Sequence, residues 1–212
     1  TPVGLIEFIA QLRELSGGKP VGFKLCVGHA WEWFAIAKAI HSSGVYPDFI
    51  VVDGSEGGTG AAPLEFSDHM GMPLQDGLRL VHNTLVGLDI RQHIRLGASG
   101  KIVSSFDMVR AIALGADWCN SARGFMFALG CIQAMKCNKN TCPTGITTHN
   151  RHLQRGLDPT DKAERVAQYV ANICHDVETI AHSCGVANPQ DLARNHVRII
   201  QPNGRSKNLA DL

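Results

Sequence analysis

What the 212-residue chain lacks narrows the field first. It has no excess of either charge: 20 basic against 19 acidic residues, a formal net charge of +1. That balance gives no electrostatic footprint for nucleic acid, and the absence of a block of like charge argues against a disordered tail. No apolar run is long enough to span a membrane, and no signal peptide opens the chain. There is no internal repeat and no low-complexity segment. The chain begins at Thr1 rather than Met, which points to a fragment or a processed product. With 44% hydrophobic residues it has enough apolar material for a real core. Seven cysteines is an odd number. Without a secretory leader the expected setting is cytoplasmic and reducing, so clustered thiols point to metal or redox chemistry before disulfides.

Residues 3–16 carry apolar positions at helical spacing and stop at Gly17-Gly18, and residues 31–42 repeat the pattern. Residues 21–27 read as a strand. Residues 49–53 form a short, nearly continuous run rich in β-branched residues, suited to a strand buried on both faces of a parallel sheet. Further strands are expected at 93–98 and 117–121, with helices at 74–88 and 105–114. Four strands alternating with helices imply right-handed βα units and a parallel sheet. The polar, glycine-bearing loops fall after the strands, which favours a (β/α)8 barrel over an open doubly wound sheet. A complete barrel of that type needs about 250 residues, so four units amount to half of one. The expected organisation is half a barrel over 1–130, a cysteine loop over 131–145 and a helical extension over 146–212. A long helix is expected at 159–184 and a short one from Asn188, with a polar, frayed tail from Gln201.

Cys131, Cys137 and Cys142 stand in the spacing C-x5-C-x4-C, bracketed by Gly130 and by the run Cys142-Pro143-Thr144-Gly145. Three close thiolates before a Cys-Pro turn suit iron or an iron–sulfur cluster. Zinc fits less well, since its ligand pairs usually stand closer and a structural site wants a fourth ligand. Three free thiols in a loop is the plain alternative. Cys26, Cys119, Cys174 and Cys184 are expected as small core residues, and Trp31 and Trp33 as helix packing. His29, His69 and His82 have no usable partner spacing.

Lys24 shares a strand face with Gly22 and Cys26, opposite Val21, Phe23, Leu25 and Val27. A lysine facing a barrel interior requires an anionic partner, and a flavin meets that need; the alternative is a lysine reaching solvent at the strand end. The loop from Gly54 to Gly60 has four glycines in seven positions, at 54, 57, 58 and 60, which permits close backbone approach to a ring or substrate. Glu56 in that loop either meets a substrate amino group or is an exposed charge. Ser99, Gly100 and Lys101 after one strand, and Ser121, Ala122, Arg123 and Gly124 after the next, offer N–H groups and cations to one phosphate.

The run Val51-Val52-Asp53-Gly54-Ser55-Glu56-Gly57-Gly58-Thr59-Gly60-Ala61, followed by the three-cysteine spacing and Cys-Pro-Thr-Gly, resembles the FMN-binding synthase domain of glutamate synthase. It looks more like the shorter relatives that lack a glutaminase domain than like the full synthase, and the resemblance runs from about Leu5 to about Leu192. It implies a (β/α)8 barrel of which this chain supplies strands five to eight. It further implies Lys24 beside flavin and substrate, the FMN phosphate on Ser99–Lys101 and Ser121–Gly124, and a 3Fe–4S cluster on Cys131, Cys137 and Cys142. The implied reaction reduces 2-iminoglutarate, formed from 2-oxoglutarate and ammonia, to L-glutamate. Electrons come from ferredoxin or an NADPH-linked subunit, and the N-terminal half-barrel or a second copy supplies the remaining strands. Two segments depart from the pattern: Leu25-Cys26-Val27-Gly28-His29 after the lysine, and Gly97-Ala98-Ser99-Gly100-Lys101 in the seventh-strand loop. Both lie by flavin and substrate. The alternatives are a flavin oxidoreductase for another small substrate and a non-catalytic half-barrel assembly module.

Overall fold

A computed structural model describes residues 1–211. Helix α1 (Pro2–Leu15) opens with proline in its first turn and a cap from Thr1, whose hydroxyl accepts from the Gly4 N–H at 3.0 Å. Strand β1 (Gly22–Leu25), helix α2 (Ala30–Ser43) and strand β2 (Phe49–Asp53) follow, then helix α3 (Leu74–Gly87), strand β3 (Arg95–Ser99), helix α4 (Ser105–Ala113) and strand β4 (Trp118–Asn120). The four strands are parallel and lie side by side in chain order. Lys24 registers with Val51, Val51 with Gly97 and Gly97 with Trp118.

Because side chains alternate along a strand, this register sorts the sheet into two unlike faces. Ile50, Val52, Leu96 and Ala98 point to the helices and are fully buried. Lys24, Val51, Asp53, Gly97, Ser99 and Trp118 share the other face, where Lys24 is exposed. Polar ties fix the starts of the strands. Asp48 accepts from the Val21 N–H at 2.7 Å and from Arg13 at 2.8 Å, and Asp117 accepts from the Leu96 N–H at 2.7 Å and from Arg91 at 2.7 Å.

Three elements and several side chains differ from the sequence expectations. Residues 122–128, expected to begin as a loop, form a short helix α5 (Ala122–Ala128) directly after β4. The helix expected from Asn188 is a single 3-10 turn, Pro189–Asp191, where Pro189 starts the turn but no apolar periodicity carries it on. The tail from Gln201 is ordered rather than frayed: strand β5 (Arg198–Ile200) pairs antiparallel with β6 (Ser206–Asn208), and Leu209, 2% exposed, enters the main core. Burying that leucine supplies what the polar residues around it do not. Between the barrel units and this hairpin lie helix α6 (Arg151–Gln154) and the long helix α7 (Pro159–Ser183), capped by Asp158. Val177 and Ala181 of α7 pack with Val109 of α4 and Leu192 in a second cluster. Of the four cysteines expected in the core, Cys26 and Cys174 are exposed, while Cys119 and Cys184 are half-buried. Burial pushes the Cys119 thiol up to about 12, with Asp107 adding to the shift. Trp33 is fully buried, but Trp31 is 66% exposed and packs no helix core.

Candidate functional site

The loops after β1, β2, β3 and β4 gather at one end of the sheet. Lys24 Nζ lies 2.8 Å from Asp53 Oδ2, the anionic partner that a lysine on this face requires. The lysine side chain remains 60% exposed while the aspartate is 18% exposed, so the charge is presented rather than hidden. Asp53 Oδ1 is buried and has no hydrogen-bond partner. Together with Cys26, Gly54 and Gly57 the pair lines a cavity of about 300 Å³. Burial raises the Cys26 pKa, with Asp53 and Glu56 adding to it, so this thiol is a neutral wall of the cavity.

Backbone hydrogen bonds shape the glycine-rich loop. The Gly54 N–H donates to Ser99 O at 2.8 Å and the Ser55 N–H to Met72 O at 2.9 Å. A Cβ on Gly57 would run into the Asp53 carboxylate, and one on Gly54 would strike Glu56 and, at 2.5 Å, the Leu74 amide. The Glu56 carboxylate is turned away from Lys24: both its oxygens lie 3.0 Å from the Leu74 N–H, where they cap α3. It borders a separate polar cavity of about 240 Å³ with Lys101, Asp107 and Arg110.

The next two loops meet the first. Gly100 has φ +143° and Lys101 φ +48°, which turn the chain sharply after β3. Lys101 Nζ holds both oxygens of Asp68, at 2.7 and 2.9 Å, and that hydrogen bond keeps the Asp68 carboxyl below its ordinary pKa. Arg123 Nε donates to Gly58 O at 3.4 Å, joining the β4 loop to the glycine-rich loop. Ser121 Oγ donates to Ile102 O at 2.9 Å.

Cys131, Cys137 and Cys142 line one pocket, together with Thr59, Gly60 and Arg123. The glycine at 60 matters here, since a Cβ would sit 2.8 Å from Cys137 Sγ. Burial opposes ionisation of Cys142, but the polar groups of Thr144 and Thr147 around its sulfur outweigh it and lower its pKa to about 6; the Thr144 hydroxyl stands 3.3 Å from the sulfur. The Thr147 hydroxyl is buried and has no hydrogen-bond partner of its own. Positive φ values at Gln133, Met135 and Asn140 hold the loop in an irregular path around the pocket. Among the described residues, no three His, Cys, Asp or Glu side chains converge on a point suited to one metal ion. A three-iron cluster makes a different demand, one thiolate to each iron, and the number and kind of donors present fit it.

The expected site residues therefore fall into two touching groups: the strand-end group around Lys24 and the thiol pocket. Glu56 borders the cavity of Gly100 and Lys101 rather than that of Lys24. Asp53 was not singled out from sequence, although it lies two residues after Val51 and so shares the Lys24 face; that parity is the signal that could have found it. Nothing local marks Thr147.

A family profile described as "Conserved region in glutamate synthase" matches residues 2–187. The chain is 38% identical over 211 residues to the glutamate synthase large subunit-like protein YerD of Bacillus subtilis, covering 100% of this chain and 40% of that protein. It is 35% identical over 196 residues to an archaeal glutamate synthase (NADPH) of Methanocaldococcus jannaschii, covering 92% of this chain and 38% of that protein. The chain thus spans about two-fifths of the length of these curated relatives. Among solved structures, a mutant flavocytochrome b2 with benzoylformate superposes with a TM-score of 0.52 at 16% identity, over 87% of this chain and 36% of that one. The fold is that of four βα units of a (β/α)8 barrel with a C-terminal extension. By the profile and by these relatives, the chain belongs to the glutamate synthase family.

Proposed function

We propose that this chain is the C-terminal half of an FMN- and iron–sulfur-dependent oxidoreductase that reduces 2-iminoglutarate, formed from 2-oxoglutarate and ammonia, to L-glutamate. The observation that carries the reading is the contact between the strand-end group and the thiol pocket. Gly60 lies against Cys137, and Arg123 both borders the thiols and holds the glycine-rich loop.

The residues fit both groups. A flavin ring suits the cavity bordered by Gly54 and Gly57, where Lys24 offers a positive charge and Asp53 Oδ1 a buried, unsatisfied acceptor. Ser99, Gly100 and Lys101 with Ser121, Ala122, Arg123 and Gly124 would hold the FMN phosphate, and Cys131, Cys137 and Cys142 a 3Fe–4S cluster. When bound, FMN supplies hydride chemistry and the cluster one-electron transfer. The chain's own residues do the rest. Asp53 holds the Lys24 side chain in place at 2.8 Å, and Lys24 would stabilise negative charge on the ring edge or on a substrate carboxylate. Thr144, 3.3 Å from the Cys142 sulfur, would stabilise that thiolate as a ligand. Glu56 acts at one remove, by tying the glycine-rich loop to the start of α3. The electron donor on this reading is ferredoxin or an NADPH-linked subunit, and the setting is a reducing cytoplasm in which the thiols stay free. The other strands of the barrel come from an N-terminal half or from a second copy.

The test is an anaerobic absorption spectrum of the purified protein, with iron and sulfide analysis and an assay of glutamate formed from ammonia, 2-oxoglutarate and a reductant. Flavin bands, iron that falls in Cys131→Ser, and glutamate formation that is lost in Lys24→Ala are expected. Flavin and iron without glutamate would shift the substrate to another small molecule, at a cavity where Cys26 stands beside Lys24. A protein that binds neither would leave the half-barrel as an assembly module.

A further inference from the structure

The C-terminal extension reaches back to the proposed phosphate loops through one side chain. Tyr169 lies on α7. Its hydroxyl donates to Val103 O at 2.8 Å and stands 2.8 Å from Ser121 Oγ, which itself donates to Ile102 O at 2.9 Å. The ring packs edge-on against Phe125 of α5, with centroids 5.5 Å apart and planes at 82°. Gly124 makes the approach possible, because a Cβ there would overlap the Tyr169 hydroxyl. A single phenol thus touches both the segment that leaves β3 and the segment that leaves β4.

The hydrogen bonds do not balance, and the imbalance is informative. Each hydroxyl carries one proton. Ser121 and Tyr169 therefore bring two protons to three contacts: Ser121 with Ile102, Tyr169 with Val103, and Ser121 with Tyr169. Either hydroxyl can turn its proton without moving a heavy atom. If Ser121 turns its proton to a ligand oxygen, Tyr169 can donate to Ser121 Oγ and strengthen it as a donor.

We propose that Tyr169 is the positioning residue of the flavin-phosphate site. It holds the Ser99–Lys101 and Ser121–Gly124 segments at the separation at which both meet one phosphate, and it couples that site to α7. The inference rests on the flavin reading above. It is specific to the phosphate, because the cavity proposed for the ring is lined by Lys24, Cys26, Asp53 and Gly57, and Tyr169 is not among its walls.

The test compares FMN with riboflavin, which lacks the phosphate, by titrating flavin-stripped protein under anaerobic conditions. Tyr169→Phe keeps the ring on Phe125 and removes one hydroxyl. It should weaken FMN about five- to tenfold, the scale of one hydrogen-bonding group, and leave riboflavin unchanged. Phe125→Leu loosens the same packing without touching a hydroxyl and should leave the FMN-to-riboflavin ratio intact. On the unaltered protein, FMN should slow amide hydrogen exchange in α7 around Tyr169 and riboflavin should not. A Tyr169→Phe protein with the wild-type ratio, a parallel loss for both ligands, or equal protection of α7 by both would overturn the inference and leave the flavin reading standing. Wild-type protein that binds neither ligand would overturn both.

Discussion

His82 shows how much a single side chain can depend on distant parts of the chain. Its Nδ1 accepts from Arg91 Nε at 3.4 Å, and Gly115 passes so close that a Cβ there would run into the ring. Burial lowers the His82 pKa to about 4, with Arg91 and Arg194 adding to the shift and Asp117 opposing it. The folded state thus binds the proton less readily than the unfolded chain, whose histidine titrates near 6.5. The resulting stability is fully present above about pH 6.5 and is lost as the pH falls towards about 4. Urea unfolding at pH 7 and pH 5 should show wild type losing about 1 kcal/mol more than His82→Gln, a figure reduced for partial solvent screening. Sequence spacing connects His82 to neither His29 nor His69, because its neighbours Arg91 and Asp117 come together only once β3 and β4 are paired. Lys24 was legible for the opposite reason. Strand parity alone puts it on the face away from Phe23 and Leu25 and predicts its need for an anion, which Asp53 meets.

At the scale of elements, helix α3 begins after Pro73, whose side chain makes no capping hydrogen bond. Glu56, from a loop 18 residues earlier, takes that role at the Leu74 N–H. Glu56→Ala should cost roughly 1 kcal/mol in a urea melt, the usual worth of a cap, and Glu56→Gln should recover most of it by keeping an acceptor. A purely substrate-binding Glu56 would leave stability unchanged in both. The long helices α1, α2, α3, α4 and α7 were legible because apolar periodicity and glycine or proline punctuation agree at their ends. Helix α5 was not, since seven residues give too short a window for periodicity to show. The β5–β6 hairpin was not legible either. Each strand has three residues, Arg198 and Lys207 interrupt any alternation, and Ile200 points to solvent.

For the molecule as a whole, the unlike faces of the sheet separate stability from function. Arg95 and Leu96 are neighbours in β3 and point to opposite sides. Leu96 is fully buried under the helices, whereas Arg95 is 74% exposed at its side chain and shares Asp117 with Arg91. Leu96→Ala should destabilise by about 2–5 kcal/mol and Arg95→Ala by less than about 1 kcal/mol, measured as shifts of the denaturation midpoint. The proposed site residues Lys24, Asp53 and Ser99 all lie on the less covered face, so they can vary without loosening the core beneath.

Strand order in this sheet equals chain order. Within it, each new strand finds a partner in the strand made just before it, so these four strands can be added during synthesis one βα unit at a time. Leu209 breaks that progression. It enters the main core from near the far end of the chain and touches down only after the thiol pocket and α7 have been made. The nascent chain can therefore build this sheet as it emerges from the ribosome, but its core is sealed only by a residue that emerges after the thiol pocket and α7.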